Sequence, residues 1–299
     1  MKGLHARSRP VKRVGLVTRY TSAEAIGLSR KLERELRSRG LAVVHDAESA
    51  AARGVAGGVR RAEIARAVDL VVSLGGDGTL LSVARHPAPG VPILGIDIGT
   101  LGFLTACGPE RHRALLEEAL NGTARVEPRR LLAVTVAEPG KPPRKYRVVN
   151  DAVLSRSALA RIATICVRVS GAVISRFRGD GIIVATPTGS TGYNLSAGGP
   201  ILEPLLPALT LTPICPHTLS VRPLILPDSV RLELAVENDP TDVYLTLDGQ
   251  EGFPLAAKTR VTVERSPQTV GLVRRSDSSF FDVLAVKLSF GGERENGNR

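Results

Sequence analysis

The chain is poor in aromatic side chains, in cysteine and in long apolar runs, and each shortage excludes something. Phe, Trp and Tyr together make up 3% of its 299 residues. A platform that stacks the bases of single-stranded nucleic acid needs more of them. No stretch reaches the roughly 20 apolar residues that span a bilayer. The basic start, MKGLHARSRPVKR, leads into no apolar run of the kind a signal peptide carries. The expectation is a cytoplasmic protein with no membrane partner. Three cysteines, Cys107, Cys166 and Cys215, stand far apart. They offer no CxxC spacing for zinc, and their odd number argues against a disulfide framework. They read as reduced, buried small hydrophobes. Two nucleotide motifs are also missing. There is no GxxxxGK[ST] phosphate loop, and the glycines do not fall in the GxGxxG pattern of dinucleotide folds.

What is present begins with charge. The formal net charge is +11, carried mostly by arginine; lysine occurs only at 2, 12, 31, 141, 145, 258 and 287. Such a surface attracts nucleic acid, and equally nucleotides and other polyphosphates. With so few aromatics, no nucleic-acid partner is expected. The length is ample for two domains.

The first part alternates strand and helix patterns. Residues 13–19, 41–46, 69–75 and 91–97 are short apolar runs that read as buried strands. Between the first two, Thr21 or Ser22 can cap a helix whose Ala25, Leu28, Leu32 and Leu36 share one face, with Gly40 as its stop. A further helix is expected near 110–121. This pattern implies a parallel sheet covered on both faces. After about residue 123 the runs become β-type, punctuated by Gly, Pro, Asn and Asp. Ile165, Val167 and Val169 alternate up to Ser170-Gly171, a hairpin signal. The expected domains are 1–123, an α/β N-terminal domain with a parallel sheet, and 124–275, a mostly-β C-terminal domain. A segment 276–290 is apolar enough to pack back on the first domain, and 291–299 reads as a disordered tail.

Three constellations carry chemistry. In VVSLGGDGTLL, Gly75, Gly76, Asp77, Gly78 and Thr79 follow a strand and open a helix expected from Thr79 onward. Ligands of open α/β sheets sit beyond the carboxyl ends of strands. Glycines admit close backbone approach, and a helix N-terminus suits phosphate. Asp77 could act as a base toward a hydroxyl. A tight Asp-Gly turn would explain the same residues. The second is RGDGIIVATPTGSTGYNLSAGGPI, residues 178–201, where Thr186, Thr188, Ser190, Thr191, Tyr193, Asn194 and Ser196 crowd hydroxyl and amide groups among glycines. It reads as a pocket wall for a ligand rich in ribose and phosphate. The third is Asn150-Asp151 within VVNDAVLSR, unfavourable in a sheet by propensity. It is either a turn or a carboxylate set to accept ribose hydroxyls.

GGDGT, ND, DGIIVATPTGSTGYNLSAGGPI and LDGQ, in this order and at these separations, resemble the NAD kinases over roughly residues 13–290. GGDGT alone is shared with diacylglycerol and sphingosine kinases; the long TPTGST…SAGGP stretch separates the NAD kinases from them. The resemblance implies the two domains just described with the active site between them. It implies phosphorylation of the 2′-hydroxyl of the adenosine ribose of NAD, with ATP or another phosphoryl donor. It implies a divalent metal ion, magnesium above others, and a homo-oligomer, dimer or tetramer. Asp77 matches the catalytic aspartate. Gly75, Gly76, Gly78 and Thr79 match the phosphate loop. Asp77, Gly78, Asn150, Asp151, Arg161, Arg178, Asp180, Thr188, Thr191, Gly192, Tyr193, Asn194, Leu195, Ser196 and Gln250 match NAD-binding positions. Two residues depart from the pattern: Asp151 stands where Glu is usual, and Gly192 where Ala is usual. The rival readings are a lipid kinase, which needs an apolar groove in place of the polar 186–196 strip, and a catalytically silent nucleotide-binding regulator, which has no need of Asp77.

Overall fold

The computed structural model describes residues 10–99, 102–156, 163–237 and 243–288. The elements of the first half are β1 (Arg13–Thr18), α1 (Ala23–Ser38), β2 (Ala42–His45), α2 (Ala47–Arg53), α3 (Ile64–Ala67), β3 (Leu70–Leu74), α4 (Asp77–Ala84), β4 (Pro92–Ile96) and α5 (His112–Leu120). The second half has β5 (Arg125–Ala137), β6 (Arg144–Val148), β7 (Asp151–Arg156), β8 (Ala163–Val169), β9 (Ala172–Gly179), β10 (Gly181–Ala185), α6 (Tyr193–Ser196), β11 (Ala208–Ile214), β12 (Leu224–Pro227), β13 (Leu232–Val236), β14 (Val243–Leu247), β15 (Glu251–Pro254), β16 (Arg260–Arg274) and α7 (Phe280–Leu288). Two compact units result: Met1–Pro128 with Val270–Arg299, and Arg129–Thr269. The chain passes between them inside β5 and β16, two long strands where composition gives no boundary signal.

The first unit is α/β. Its strands run in the order β2-β1-β3-β4 and then the end of β16, all parallel. All five residues of β3 are buried, as a strand covered on both faces requires. Ser22 caps α1 through its side chain on Ala25 N, and Ala25, Ser29, Leu32 and Leu36 are its buried face. These join Leu16, Leu70, Val72, Leu94 and Ile96 in one core. The expected strands and the three expected helices are present. Helix α4, however, starts at Asp77 rather than Thr79, because Gly76 already serves as its N-cap.

The second unit is antiparallel. One sheet has the order β12-β11-β10-β7-β14-β15; in the other, β16-β13-β8-β9 pair in sequence and β5 pairs β6. Alternate residues of both sheets fill one core, among them Leu154, Ile182, Val184, Val167, Leu234 and Val263. The β8–β9 hairpin turns at Ser170 (φ 48°) and Gly171 (φ 91°), the left-handed pair that a tight turn needs. On the six-stranded sheet's opposite face, Val153, Ile183 and Ala185 pack against Ala197 and Ile214. That face underlies the polar 186–199 segment.

The cysteine expectation holds for Cys107 and Cys166 and fails for Cys215, which is exposed. It sits just past β11 with φ 44°, where the chain turns away from the sheet. The apolar segment near the C-terminus is α7, of which Phe281 and Val286 are exposed. The expected tail at 291–299 lies outside the described residues.

Candidate active site

In the first unit the site grows from the end of β3. Gly75 N donates to Ile96 O at 3.0 Å, which ties the loop to β4. A β-carbon at Gly75 would overlap Thr79 Oγ1, so glycine is required there by close approach. Asp77, half-buried at the first position of α4, points its carboxylate at the turn after β4. Oδ2 accepts Phe103 N at 2.8 Å. Oδ1 accepts Leu104 N and Thr105 N at 3.1 Å each, with Thr105 Oγ1 at 3.4 Å. Gly102 closes this cradle, since a β-carbon there would overlap the Asp77 carboxylate. Backbone donors around a carboxylate form a fixed anion nest.

A second carboxylate stands beside it. Asp97, 3% exposed, follows β4 and accepts Thr105 Oγ1 at 2.9 Å and Gly102 N at 3.0 Å. Burial pushes its pKa up, Thr105 and Gly102 pull it down, and the charge of Asp77 adds to the rise. Thr105 thus touches both acids. Asp97, Gly102 and Thr105 were not foreseen from sequence; the available signal was an aspartate directly after an apolar strand.

In the second unit the site forms where β7 leaves Asn150. Asp248, at φ 51° after β14, is buried and receives the backbone of this corner. Its Oδ1 accepts Asn150 N at 2.7 Å, Val149 N at 3.1 Å and Asp151 N at 3.2 Å. Thr186 Oγ1 donates to Val149 O at 2.5 Å, and Thr186 N donates to Asn150 O at 2.8 Å. A β-carbon at Gly189 would overlap the Asn150 carbonyl, so the 186–192 segment lies directly on the Asn-Asp corner. A β-carbon at Gly192 would stand 3.6 Å from Asn150 Nδ2 and 3.9 Å from Asp151 Oδ2.

The Asp151 carboxyl faces this space with no hydrogen-bond donor among the described residues. Asp151 is 4% exposed. Burial, with the charge of Asp248 second, pushes its pKa up to about 7. Two more polar atoms nearby, Asn150 Oδ1 and Thr188 Oγ1, are buried without partners. Buried polar atoms are ordinarily bonded, and a cluster of unbonded ones awaits something that bonds them.

Other expected residues fall differently. Asn194 is buried and its amide is fully engaged: Nδ2 donates to Ser190 O and Pro200 O, and Oδ1 accepts from Thr210 and Thr212. It is the post on which the loop is built. Tyr193 and Ser196 are exposed, and Thr191, Gly192 and Leu195 half-buried. Gln250 is exposed in the β14–β15 turn. Arg178 and Asp180 lie at the other end of β10 from Asp151. Five strand residues put that end roughly 17 Å away. Among the described residues Arg178 and Asp180 form no ion pair with each other. Asp180 pairs instead with Arg156 at 2.7 Å, across the β7–β10 ladder, and Arg178 is exposed. Arg161 lies outside the described residues.

The α/β unit carries a GGDGT loop after β3 and the antiparallel unit a buried Asn-Asp corner at the start of β7, with neither a Walker loop nor a dinucleotide fingerprint in the sequence. Comparison gives the family. Residues 14–124 match the ATP-NAD kinase N-terminal domain, and 149–275 the ATP-NAD kinase C-terminal domain. The NAD kinase of Solibacter usitatus is 40% identical over 282 residues, covering 94% of this chain and 98% of its own. That of Symbiobacterium thermophilum is 46% identical over 223 residues, covering 74% and 79%. An NAD kinase from Archaeoglobus fulgidus, solved in complex with ATP, superposes with a TM-score of 0.73 at 27% identity over 93% of this chain and 98% of that one. Yeast NADH kinase complexed with NADH shares the fold, with a TM-score of 0.87 at 24% identity over 97% and 91%. The chain belongs to the NAD kinase family.

Proposed function

We propose that this chain transfers the terminal phosphoryl group of ATP to the 2′-hydroxyl of the adenosine ribose of NAD, giving NADP and ADP. The observation that carries the reading is the state of Asp77. Its Oδ1 is filled by two N–H groups, while Oδ2 takes one, from Phe103, among the described residues. A carboxylate oxygen has two lone-pair sites, so Oδ2 keeps one for a hydroxyl. That hydroxyl is aligned, and its proton accepted, as its oxygen attacks phosphorus and the bond to the ADP oxygen breaks. Phosphoryl transfer asks mainly for such positioning. In the second unit Asn150, Asp151 and Thr188 offer unbonded polar atoms suited to ribose hydroxyls and amides of NAD. The glycine-framed start of α4 suits the donor phosphates.

Among the described residues no group of three His, Cys, Asp or Glu side chains converges as a metal cage. Magnesium fits such a donor set when it arrives on ATP, because it keeps waters and substrate phosphates as ligands. Bound so, it neutralises phosphate charge. We further propose a homo-oligomer in the cytoplasm. The edge strands β9 and β12 expose Val173, Ile174, Leu224 and Ile225, and bare apolar edges favour pairing. Light scattering on the purified protein checks the assembly.

A coupled assay for NADP from NAD and ATP tests the activity. NADP formation that needs both substrates supports it. Lipid phosphorylation, or binding of NAD without turnover, replaces it with one of the rivals.

A further inference from the structure

Arg274, at the end of β16, is buried at 9% exposure and lies behind the loop that holds Asp77. It is 169–171 residues away from that loop in sequence. One nitrogen, Nη1, donates to three successive carbonyls: Phe103 O at 3.3 Å, Leu104 O at 3.0 Å and Thr105 O at 3.3 Å. Glu127 stands 4.0 Å from Nε on the other side of the guanidinium.

The carbonyl of Phe103 and the N–H of Leu104 belong to one peptide group, and those of Leu104 and Thr105 to the next. Both N–H groups donate to Asp77 Oδ1. A trans peptide is planar, with C=O and N–H pointing in opposite directions, and the described residues contain no cis bonds. Each of the two peptide groups therefore lies between a cation and an anion, oxygen toward Arg274 and hydrogen toward Asp77. Hydrogen bonds chained in this way polarise one another, and both ends are charge-assisted. Three carbonyls on one side need a cation, and three N–H groups on the other need an anion.

We infer that Arg274 is a positioning residue for phosphoryl transfer, acting through peptide groups 103–104 and 104–105 to fix the Asp77 carboxylate. Its guanidinium does not meet substrate in this role. The inference rests on reading Asp77 as the acceptor of the NAD hydroxyl. A buried arginine that only caps carbonyls would stabilise the fold without acting on turnover.

Four variants separate the two: Arg274→Met, Arg274→Lys, Asp77→Asn and the Asp77→Asn/Arg274→Met double variant. In Arg274→Met, kcat falls about 10- to 100-fold, the scale of a misplaced catalytic group. KM for NAD and for ATP stays within about threefold, because the loss is confined to the transition state. Lysine restores much of the rate, since a single nitrogen makes all three contacts. In the Asp77→Asn background, Arg274→Met lowers kcat by less than about twofold further, as coupled residues require. Wild-type kcat in a folded Arg274→Met, equal losses in both backgrounds, a rise in KM alone, or lysine no better than methionine would each overturn the inference.

Amide exchange gives a readout independent of turnover. The Leu104 and Thr105 amides exchange faster in Arg274→Met, while those of Val71 and Val72 in β3 do not change. Arg274→Gln, neutral but still a donor, carries both comparisons if Arg274→Met fails to fold. If the wild type makes no NADP at all, the functional reading fails, and the exchange of these two amides still decides the clamp: unchanged exchange removes it.

Discussion

Asp248 holds Asp151 by its backbone and opposes it by its charge. Asp248 Oδ1 accepts Asp151 N at 3.2 Å, and Asp248 N donates to Asp151 O at 2.9 Å. Three backbone N–H groups thus compensate Asp248, while the Asp151 carboxyl has none from the described residues. The Asp151 carboxyl, without such donors, is the one that burial and then the neighbouring Asp248 charge push up in pKa.

This inequality gives stability a pH dependence. The Asp151 pKa is raised from 3.8 to about 7. Between those values the folded chain binds a proton that the unfolded chain has released. Stability from this group is present at low pH and falls as pH rises through the window. Asp151→Asn removes the titration. Relative to wild type, the variant should gain about 2–3 kcal/mol between pH 5 and pH 8, read by denaturant unfolding at each pH. A difference that does not change with pH would mean that Asp151 is ionised throughout.

If Asp151 meets NAD as proposed, the same group should couple NAD binding to protons. A ribose hydroxyl or an amide donates best to the ionised carboxylate, so NAD binding near pH 6.5 should release part of a proton. Calorimetry in two buffers of different ionisation enthalpy should show different apparent heats for wild type and equal heats for Asp151→Ala. The substitution should also weaken binding by about 1–3 kcal/mol, the cost of removing a buried hydrogen-bond partner. Unchanged affinity with an intact fold would return Asn150-Asp151 to a structural corner.

Asp77→Asn should keep NAD affinity within about tenfold while turnover falls by about 10²–10⁴, the span of a lost acid–base group. The two N–H groups at Oδ1 orient the new amide with its oxygen toward them. Its NH₂ then occupies the place of Oδ2, where an acceptor is needed. Turnover within a few-fold of wild type would remove Asp77 from the chemistry.

Gly102→Ala attacks the same carboxylate by shape. The added β-carbon overlaps Asp77, so the loop or the acid must shift. A stability loss of about 1–3 kcal/mol, the usual cost of overpacking, is expected together with a fall in kcat. Thermal unfolding and steady-state kinetics on one preparation check both; an unperturbed kcat would show that the cradle relaxes freely.

Gly192→Ala should behave oppositely. At φ −91° and ψ −134° Gly192 lies outside the left-handed region, and an added β-carbon would meet Gly189 O at 3.3 Å, so the Gly189 carbonyl must yield by a few tenths of an ångström. The substitution should stabilise by up to about 1 kcal/mol through the unfolded chain. A loss greater than that would mean the loop cannot yield to the methyl group.

Much of this was legible in the sequence. The buried run Leu70–Leu74 and the face of Ala25, Leu32 and Leu36 follow from periodicity, which acts over neighbouring residues. Ser170-Gly171 follows from turn chemistry, equally local. GGDGT marked Asp77 because glycine next to a strand end has few other uses. Asn194 shows the limit: the motif that placed it beside a ligand could not say that Ser190, Pro200, Thr210 and Thr212 would occupy its amide.

The sequence by itself determined the two-part α/β and β architecture, the family and the position of the aspartate proposed as reactive, since each rests on patterns a few residues long or on a contiguous motif. Tertiary structure alone decided which oxygen of Asp77 is open, that Asp248 and not Asp151 takes the backbone donors, that Arg156 rather than Arg178 pairs with Asp180, and that Arg274 stands behind the Asp77 loop. Those relations join residues far apart along the chain, and their hydrogen bonds depend on ångström distances and direction. Spacing in sequence carries no information about either once the chain has crossed from one strand to another.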